Sequence, residues 1–247
     1  MNEIYCDWAA TALFDTEILE KAYKTSIEFA GNPSSVHQKG IDAKYALQNA
    51  RKRCATSLGV KEENIVFTSG GTESNHIAIL SLLNRPVKGS ILVSSLEHPA
   101  IREQAEMIKK CGWQVYKIPS DENGIITAES VIKAMKDDTA LVSVMAVNNE
   151  TGSIMPIYEI SDALTNHCEG KRRPKFHVDA VQAAGKIPLD LSYKGIDFAS
   201  ISAHKIGGPR GIGILYAKDK FEPFLRGGGQ ENGLRRGNEN LFGAEAI

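Results

Sequence analysis

A lysine ends an apolar run in the segment 202–205, Ser-Ala-His-Lys, and glycines follow at Gly207 and Gly208. Burying an ammonium group without a partner is costly, so a lysine in this position is rarely structural. Partial desolvation lowers the pKa of a lysine and makes its amine nucleophilic, which suits a Schiff base with an aldehyde. We therefore take Lys205 as a candidate catalytic residue; the alternative is a surface lysine at a strand end.

A glycine turn lies between an apolar run and a helical pattern, in the segment 68–75, Thr-Ser-Gly-Gly-Thr-Glu-Ser-Asn. Glycines let the backbone approach a ligand closely, and a helix N-terminus offers N–H groups and a positive dipole end to a phosphate. Gly71 and Thr72 are thus candidate phosphate-binding residues. The alternative for Thr72 is a helix-capping role.

Three more polar residues follow other apolar runs. Asp179 ends His-Val-Asp at a strand end where open α/β sheets bind ligands, and an aspartate there can pair with a pyridinium nitrogen. His98, in Glu-His-Pro-Ala, can lie flat on an aromatic cofactor or shuttle a proton. Asn149 follows the longest apolar strand pattern. Their alternatives are an N-cap aspartate, an incidental loop histidine and a turn asparagine.

The elements that must position these residues alternate along the chain. Short β-branched runs predict strands at 64–68, 90–94, 113–118, 140–147, 175–178, 198–202 and 212–216. Helical patterns cover 72–83, 99–110, 128–136 and 157–167, and one apolar face recurs through Ala43, Leu47, Ala50, Cys54 and Leu58. This alternation predicts an α/β fold with a mainly parallel, mixed sheet flanked by helices.

All the candidate residues then fall at carboxyl ends of predicted strands. A phosphate cradle, a stacking imidazole, an amide, an aspartate and a Schiff-base lysine at one edge of a sheet together describe a pyridoxal-phosphate site.

Composition limits the other possibilities. The chain has 247 residues, 42% of them hydrophobic, and a net charge of −1, which is typical of a soluble globular protein and argues against a nucleic-acid partner. No run of 18 apolar residues and no secretory leader are visible, so we expect no membrane association. The four cysteines form no CxxC pair; we expect no metal site, and reduced thiols in a cytoplasmic protein.

From Ile4 to about Asn240 the chain resembles the cysteine desulfurases, the NifS/IscS-like group of class V aminotransferases. This resemblance implies the large domain of pyridoxal-phosphate (PLP) fold-type I. The segments that carry it are IYCDWAAT, GNPSSVHQKG, TSGGTESNH, SSLEHPA, VNNETG, HVDAVQAAGK, SAHKIGGPRGIG and GGGQENGLRRGNEN.

The resemblance also implies a role for each matching residue. Lys205 would form the Schiff base and later move protons at the substrate Cα, with His98 stacked on the ring and assisting acid–base steps. Asp179 would bond the pyridine nitrogen, and Gln182 and Asn149 would lie near the 3′-oxygen. The phosphate would be held by Gly71, Thr72, Ser202 and His204. Family members are homodimers in which one residue reaches the partner's phosphate; here it is Asn238, where the family usually has Thr.

The implied reaction converts L-cysteine to L-alanine and passes sulfur to a protein cysteine and then to an acceptor protein. The family's persulfide cysteine and carboxylate-binding arginine lie downstream of the segments seen here. We therefore expect residues 14–247 to be the large domain, residues 1–13 to be a weakly ordered segment normally associated with a small domain, and the small domain to be absent. Open alternatives are a non-catalytic PLP-binding or dimerisation fragment, a selenocysteine lyase and another class V aminotransferase.

Overall fold

The computed structural model describes residues 4–247, and its centre is a mixed seven-stranded sheet. The strands are β1 (Ile65–Thr68), β2 (Ser90–Ser94), β3 (Gln114–Ile118), β4 (Thr139–Met145), β5 (Lys175–Asp179), β6 (Phe198–Ser202) and β7 (Gly213–Ala217). Their order is β1-β7-β6-β5-β4-β2-β3. Only β7 runs against its neighbours, so the other six strands point the same way and their carboxyl ends share one edge.

Helices cover both faces of this sheet. In residues 4–247 they are α1 (Thr16–Glu28), α2 (Gln38–Ser57), α3 (Gly71–Leu80), α4 (Pro99–Lys110), α5 (Ala128–Ala134), α6 (Ile157–His167) and α7 (Leu241–Glu245). Side chains cap several of them, as when Asp15 accepts a hydrogen bond from the Ile18 N–H at the start of α1. None of these helices combines the length and the apolar character needed to cross a membrane.

Alternate side chains of the central strands point to opposite faces of the sheet. Phe176 and Val178 of β5 pack into the larger apolar core, under α2, α5 and α6. His177 and Asp179 therefore face the other side, where α3 and α4 build the smaller core. The site residues on β5 are thus fixed to the α3–α4 side by the same alternation that fills the core.

The predicted architecture is confirmed, with small differences in the ends of elements. The strands 90–94 and 198–202 and the helices 99–110 and 157–167 have the predicted bounds. The predicted strand 140–147 ends at Met145; beyond it Ala146 N–H still bonds the Asp179 carbonyl, and Val147 pairs with Ile154. The predicted helix 72–83 ends at Leu80 and continues as a 3₁₀ turn.

A buried ion pair connects helix α2, strand β1 and the glycine-rich segment 227–238. Both Arg51 and Glu231 are almost fully buried, and the guanidinium binds the carboxylate in a bidentate arrangement at 2.7 and 2.8 Å. Glu231 also accepts from Phe67 N–H at 2.8 Å, and Arg51 donates to the Ile65 carbonyl at 2.7 Å. Glu231 and Asn232 both have positive φ, so these contacts hold a backbone that such residues rarely adopt.

We expect Glu231→Ala to lower the free energy of unfolding by about 3–5 kcal/mol, because it leaves the Arg51 guanidinium buried without its counter-charge. Urea unfolding measures the loss. The control is Glu245→Ala, which removes a pair to the exposed side chain of Arg53, and we expect it to cost no more than about 1 kcal/mol. Equal losses in the two variants would contradict the proposed role of the buried pair.

Candidate active site

A cavity of about 450 Å³ opens at the shared carboxyl edge of the sheet. Nine of the ten sequence-predicted site residues line it: Gly71, Thr72, His98, Asn149, Asp179, Gln182, Ser202, His204 and Lys205. The tenth, Asn238, is exposed and does not line the cavity of its own chain.

Lys205 enters the cavity from a 3₁₀ turn that follows β6. Its Nζ donates to the carbonyls of Ala9 and Ala10 at 2.6 and 2.7 Å. Burial lowers the pKa of the Lys205 amine, and the nearby Asp7 and Asp179 carboxylates oppose that shift. The surface-lysine alternative is therefore wrong: the amine is half-buried, directed inward and held by the N-terminal segment.

Asp179 is the buried acid of the cavity. One carboxylate oxygen accepts from the Val181 N–H at 3.0 Å and the other from Asn75 Nδ2 at 2.8 Å. Burial raises the pKa of Asp179, while these two donors and the charges of His98 and Lys205 lower it. No helix starts after Asp179, since residues 181–186 form turns, so the N-cap alternative is wrong.

The amide of Gln182 has a fixed orientation. Lys186 Nζ donates to Oε1 at 2.6 Å, and an ammonium group can only donate. The amide nitrogen therefore points to the cavity side, where it donates to the Ala9 carbonyl at 2.8 Å. Gln182 Nε2 and Lys205 Nζ thus converge on one acceptor, which places an N–H donor beside the amine.

The glycine turn of the cavity is closely packed. Gly70 precedes α3 with a φ of 150°, and no side chain caps the helix. A Cβ on Gly71 would lie 2.6 Å from Val181 Cγ2, so only glycine fits there. Thr72 is the second helical residue and not the cap, so its capping alternative is wrong.

The two neighbouring asparagines have separate tasks. Asn148 makes the turn, since its Oδ1 accepts from the N–H groups of Glu150 and Thr151 at 2.9 and 2.8 Å. Asn149 is left to line the cavity. His98 lies at the mouth, where its Nδ1 accepts from Ala100 N–H at 3.1 Å and caps α4.

Backbone and side-chain contacts join the N-terminal segment to the site. Ala12 N–H and Thr11 Oγ1 donate to the His204 carbonyl at 2.8 and 3.2 Å, and the Thr11 hydroxyl lies 3.1 Å from His204 Nδ1. The side chains of Ile4, Trp8 and Leu13 are exposed. The expected weak order of residues 1–13 stays a prediction, and its first three residues lie outside those described.

The described residues contain no cluster of three His, Cys, Asp or Glu side chains that could hold a metal ion. Nor does a cysteine from this part of the chain line the cavity. Cys54 and Cys168 are buried, Cys111 is half-buried and Cys6 is exposed. Burial raises the pKa of Cys54 to about 11, so that thiol is not a nucleophile near neutral pH.

The sequence profile of the family "Aminotransferase class-V" matches residues 4–240. The chain belongs to the class V aminotransferases.

Named relatives refine this membership. The chain is 40% identical to "Cysteine desulfurase IscS" of Dictyoglomus turgidum over 98% of its length, which is 61% of that protein. It is also 40% identical to "Putative cysteine desulfurase IscS 1" of Bacillus subtilis, covering 64% of it. The resemblance to the cysteine desulfurases is confirmed, and the chain spans less than two thirds of the length of these relatives.

Solved structures give the same result for the fold. A "NIFS-like protein" superposes with a TM-score of 0.92 at 36% identity, covering 99% of this chain and 67% of that one. "SspA in complex with cysteine" also gives 0.92, at 33% identity, covering 99% and 71%. The fold-type I prediction is confirmed.

Members of the class V aminotransferases depend on PLP, and the cavity of this member fits that group. The Gly71 turn forms a cradle that a Cβ would fill. Asp179 accepts from an amide and a backbone N–H and takes part in none of the ion pairs formed within residues 4–247, which suits a protonated ring nitrogen. The amine of Lys205 and the amide of Gln182 lie side by side, which suits an aldehyde next to a phenolic oxygen.

Sequence reasoning missed three polar residues of this class V site. Asp7 and Asn75 line the cavity, and Glu97 is buried beside it. Each lies in a segment that carries the family resemblance, but none ends a strand pattern, which was the signal used.

A second polar layer lies under the cavity. His177 is fully buried between the Ser143 and Ser200 hydroxyls, at 2.9 and 3.0 Å, and so joins β4, β5 and β6 two residues below Asp179. Burial lowers the pKa of His177 to about 3. The neutral imidazole can donate to one serine and accept from the other.

His177 should make the fold acid-sensitive. Its folded pKa lies below the unfolded value of 6.5, so its contribution to stability is complete above about pH 6.5 and is lost as the pH falls toward 3. We expect the folding-constant ratio of wild type to His177→Gln to fall by up to about tenfold per pH unit across that window, measured by urea unfolding. The exposed His167→Gln is the control. A ratio independent of pH would contradict the neutral, buried state.

Proposed function

We propose that this chain supplies the PLP-binding and proton-transferring part of a cysteine desulfurase. The observation that carries the proposal is the convergence of the Lys205 amine, the Asp179 carboxylate and the Gln182 amide in one cavity. The names of the most similar relatives support the assignment. PLP, when bound, supplies an electron sink that stabilises negative charge on the substrate Cα.

In this proposal each side chain of the cavity has its own role toward PLP. Lys205 would provide the amine for the aldehyde and would move a proton at the substrate Cα. Asp179 would hold a proton on the ring nitrogen, and His98 would contact the cofactor from the mouth of the cavity. Gln182 donates to the 3′-oxygen, with Asn149 close to it. Gly71, Thr72, Ser202 and His204 hold the phosphate.

The proposed substrate is L-cysteine, which is supported by the cysteine complex in the printed title of a similar structure. The overall change is L-cysteine plus a protein thiol to L-alanine plus a protein persulfide, so the sulfur moves and no outside oxidant is needed. No cysteine of the described residues lines the cavity, so we assign the thiol to none of them. Residues 14–247 would form the large domain, with residues 1–13 associated with a small one. The free thiols support a reducing, cytoplasmic location.

The Schiff-base role of Lys205 can be tested directly. We expect borohydride reduction of the protein with PLP to fix the cofactor on the peptide that contains Lys205, as seen by peptide mass mapping. Lys205→Ala should lose this label, while Lys52→Ala, which removes an exposed amine on α2, should keep it. Failure of the wild type to bind PLP, or label spread over surface lysines, would overturn the proposal.

We also propose a homodimer that forms through the groove between α2 and the segment 227–240. The groove holds exposed Val36 and Ile41 beside Asn232 and Glu239, and Tyr45 is exposed one helical turn after Ile41. A partner seated here would lie next to Asn238, the residue expected to reach its phosphate. Apolar side chains exposed together are typical of interaction surfaces.

Sedimentation equilibrium should therefore give twice the chain mass of 26.9 kDa. Tyr45→Glu should shift the protein toward the monomer, since it would place a charge in the apolar contact. Tyr23→Glu, on an exposed position of α1, serves as the matched control. A monomeric wild type, or equal dissociation of both variants, would contradict this interface.

A further inference from the structure

Glu97 is a buried acid that the proposed chemistry does not use. It is only 4% exposed and lies in the connection between β2 and α4, directly before His98. Its Oε1 accepts from Ser94 Oγ at 2.7 Å and from Met145 N–H at 2.8 Å. Its Oε2 has no hydrogen-bond partner among the described residues.

Two other buried acids of the described residues, Glu231 and Asp197, are paired with cations. Glu231 has Arg51, and Asp197 has both Arg173 and Lys175 at 2.7 and 2.9 Å. Glu97 takes part in none of the ion pairs formed within residues 4–247. An ionised carboxylate in such a place would be very costly, whereas a protonated one needs no cation.

A neutral acid can make both of the hydrogen bonds that Glu97 accepts. A protonated carboxyl keeps one carbonyl oxygen with two lone pairs, and Oε1 uses both. Its donors, Ser94 and Met145, are the last residues of β2 and β4, beyond the end of the ladder between these strands. The Glu97 side chain thus continues the connection between the two strands at the edge of the cavity.

We propose that Glu97 acts as a neutral carboxylic acid that ties the end of β2 to the end of β4 and thereby positions His98 over the cavity. This inference rests on the proposed function, since it gives His98 its place against the cofactor. Glu97 touches neither cofactor nor substrate and is a positioning residue.

The charges around Glu97 favour its neutral form. Burial, and after it the Asp179 carboxylate on β5, raise the pKa of Glu97 to about 8; the two hydrogen bonds to Oε1 act in the opposite direction. Burial raises the pKa of Asp179 as well, but Asp179 accepts hydrogen bonds on both oxygens and has the Lys205 charge nearby, and these oppose the rise. Of the two neighbouring acids, Asp179 is therefore the one to carry the charge, and Glu97 the one to stay neutral.

The first test measures stability against pH. The folded pKa of Glu97 lies above the unfolded value of 4.5, so its contribution is present below about pH 4.5 and is lost as the pH rises to about 8. Glu97→Gln mimics the neutral acid and cannot titrate. We expect the folding constant of Glu97→Gln relative to wild type to rise by up to about tenfold per pH unit between about pH 5 and 8. Glu106→Gln, on the exposed face of α4, is the control, and a ratio independent of pH for Glu97→Gln would overturn the neutral state.

The second test measures the dissociation constant of PLP by equilibrium dialysis. Glu97→Gln keeps both acceptor contacts and should bind within about threefold of wild type, whereas Glu97→Ala should bind at least about tenfold more weakly. Wild-type binding in Glu97→Ala, or equal losses in Gln and Ala variants, would overturn the positioning role. If the wild type itself bound no PLP, the proposed function would fail, while the stability test would still decide the state of Glu97.

Discussion

The common direction of β2, β4, β5 and β6 is the constraint on which the site depends. Because these strands are parallel, the residues that follow them must meet at one edge, whatever their separation in sequence. His98, Asn149, Asp179 and Lys205 are brought together in this way. Because successive side chains of a strand point to opposite faces, the polar residues of β5 face α3 and α4, and the apolar residues between them pack into the core on the opposite face.

Burial at this edge of the sheet affects the protonation of the two acids and of the amine in different ways. Burial raises the pKa of Asp179, but donors on both of its oxygens and the Lys205 charge nearby oppose that rise. Glu97 accepts hydrogen bonds on one oxygen only and has the Asp179 carboxylate as its neighbour, so its ionised form is disfavoured. The Lys205 amine, half-buried, is closer to its neutral form than a surface lysine. These differences come from position alone, since the three groups belong to residue types that are ordinarily ionised.

Much of this arrangement could be predicted from the sequence because it depends on local signals. Apolar runs and turn residues place the strand ends, and six of the candidate residues follow from those ends, whereas Gln182, Ser202 and His204 follow from the family resemblance. Asn75 and Glu97 could not be found in this way, since their importance depends on contacts across the sheet: Asn75 with Asp179, and Glu97 with Met145. The capping alternatives for Thr72 and Asp179 are wrong for a related reason. Thr72 and Asp179 are residue types that cap helices, but the helix starts one residue before Thr72 and none starts at Asp179.

The N-terminal segment completes the site through contacts with residues that are distant in sequence. The Ala9 carbonyl receives both Lys205 Nζ and Gln182 Nε2, so one backbone acceptor orients the amine and the amide together. Lys186 holds the other end of the same amide. The phenolic oxygen of PLP is next to its aldehyde on the ring. The protein holds the Gln182 amide and the Lys205 amine side by side through their shared acceptor, which matches this arrangement. Residues 4–13 therefore belong to the active site as much as the strands do, although their own sequence contains no element of regular structure.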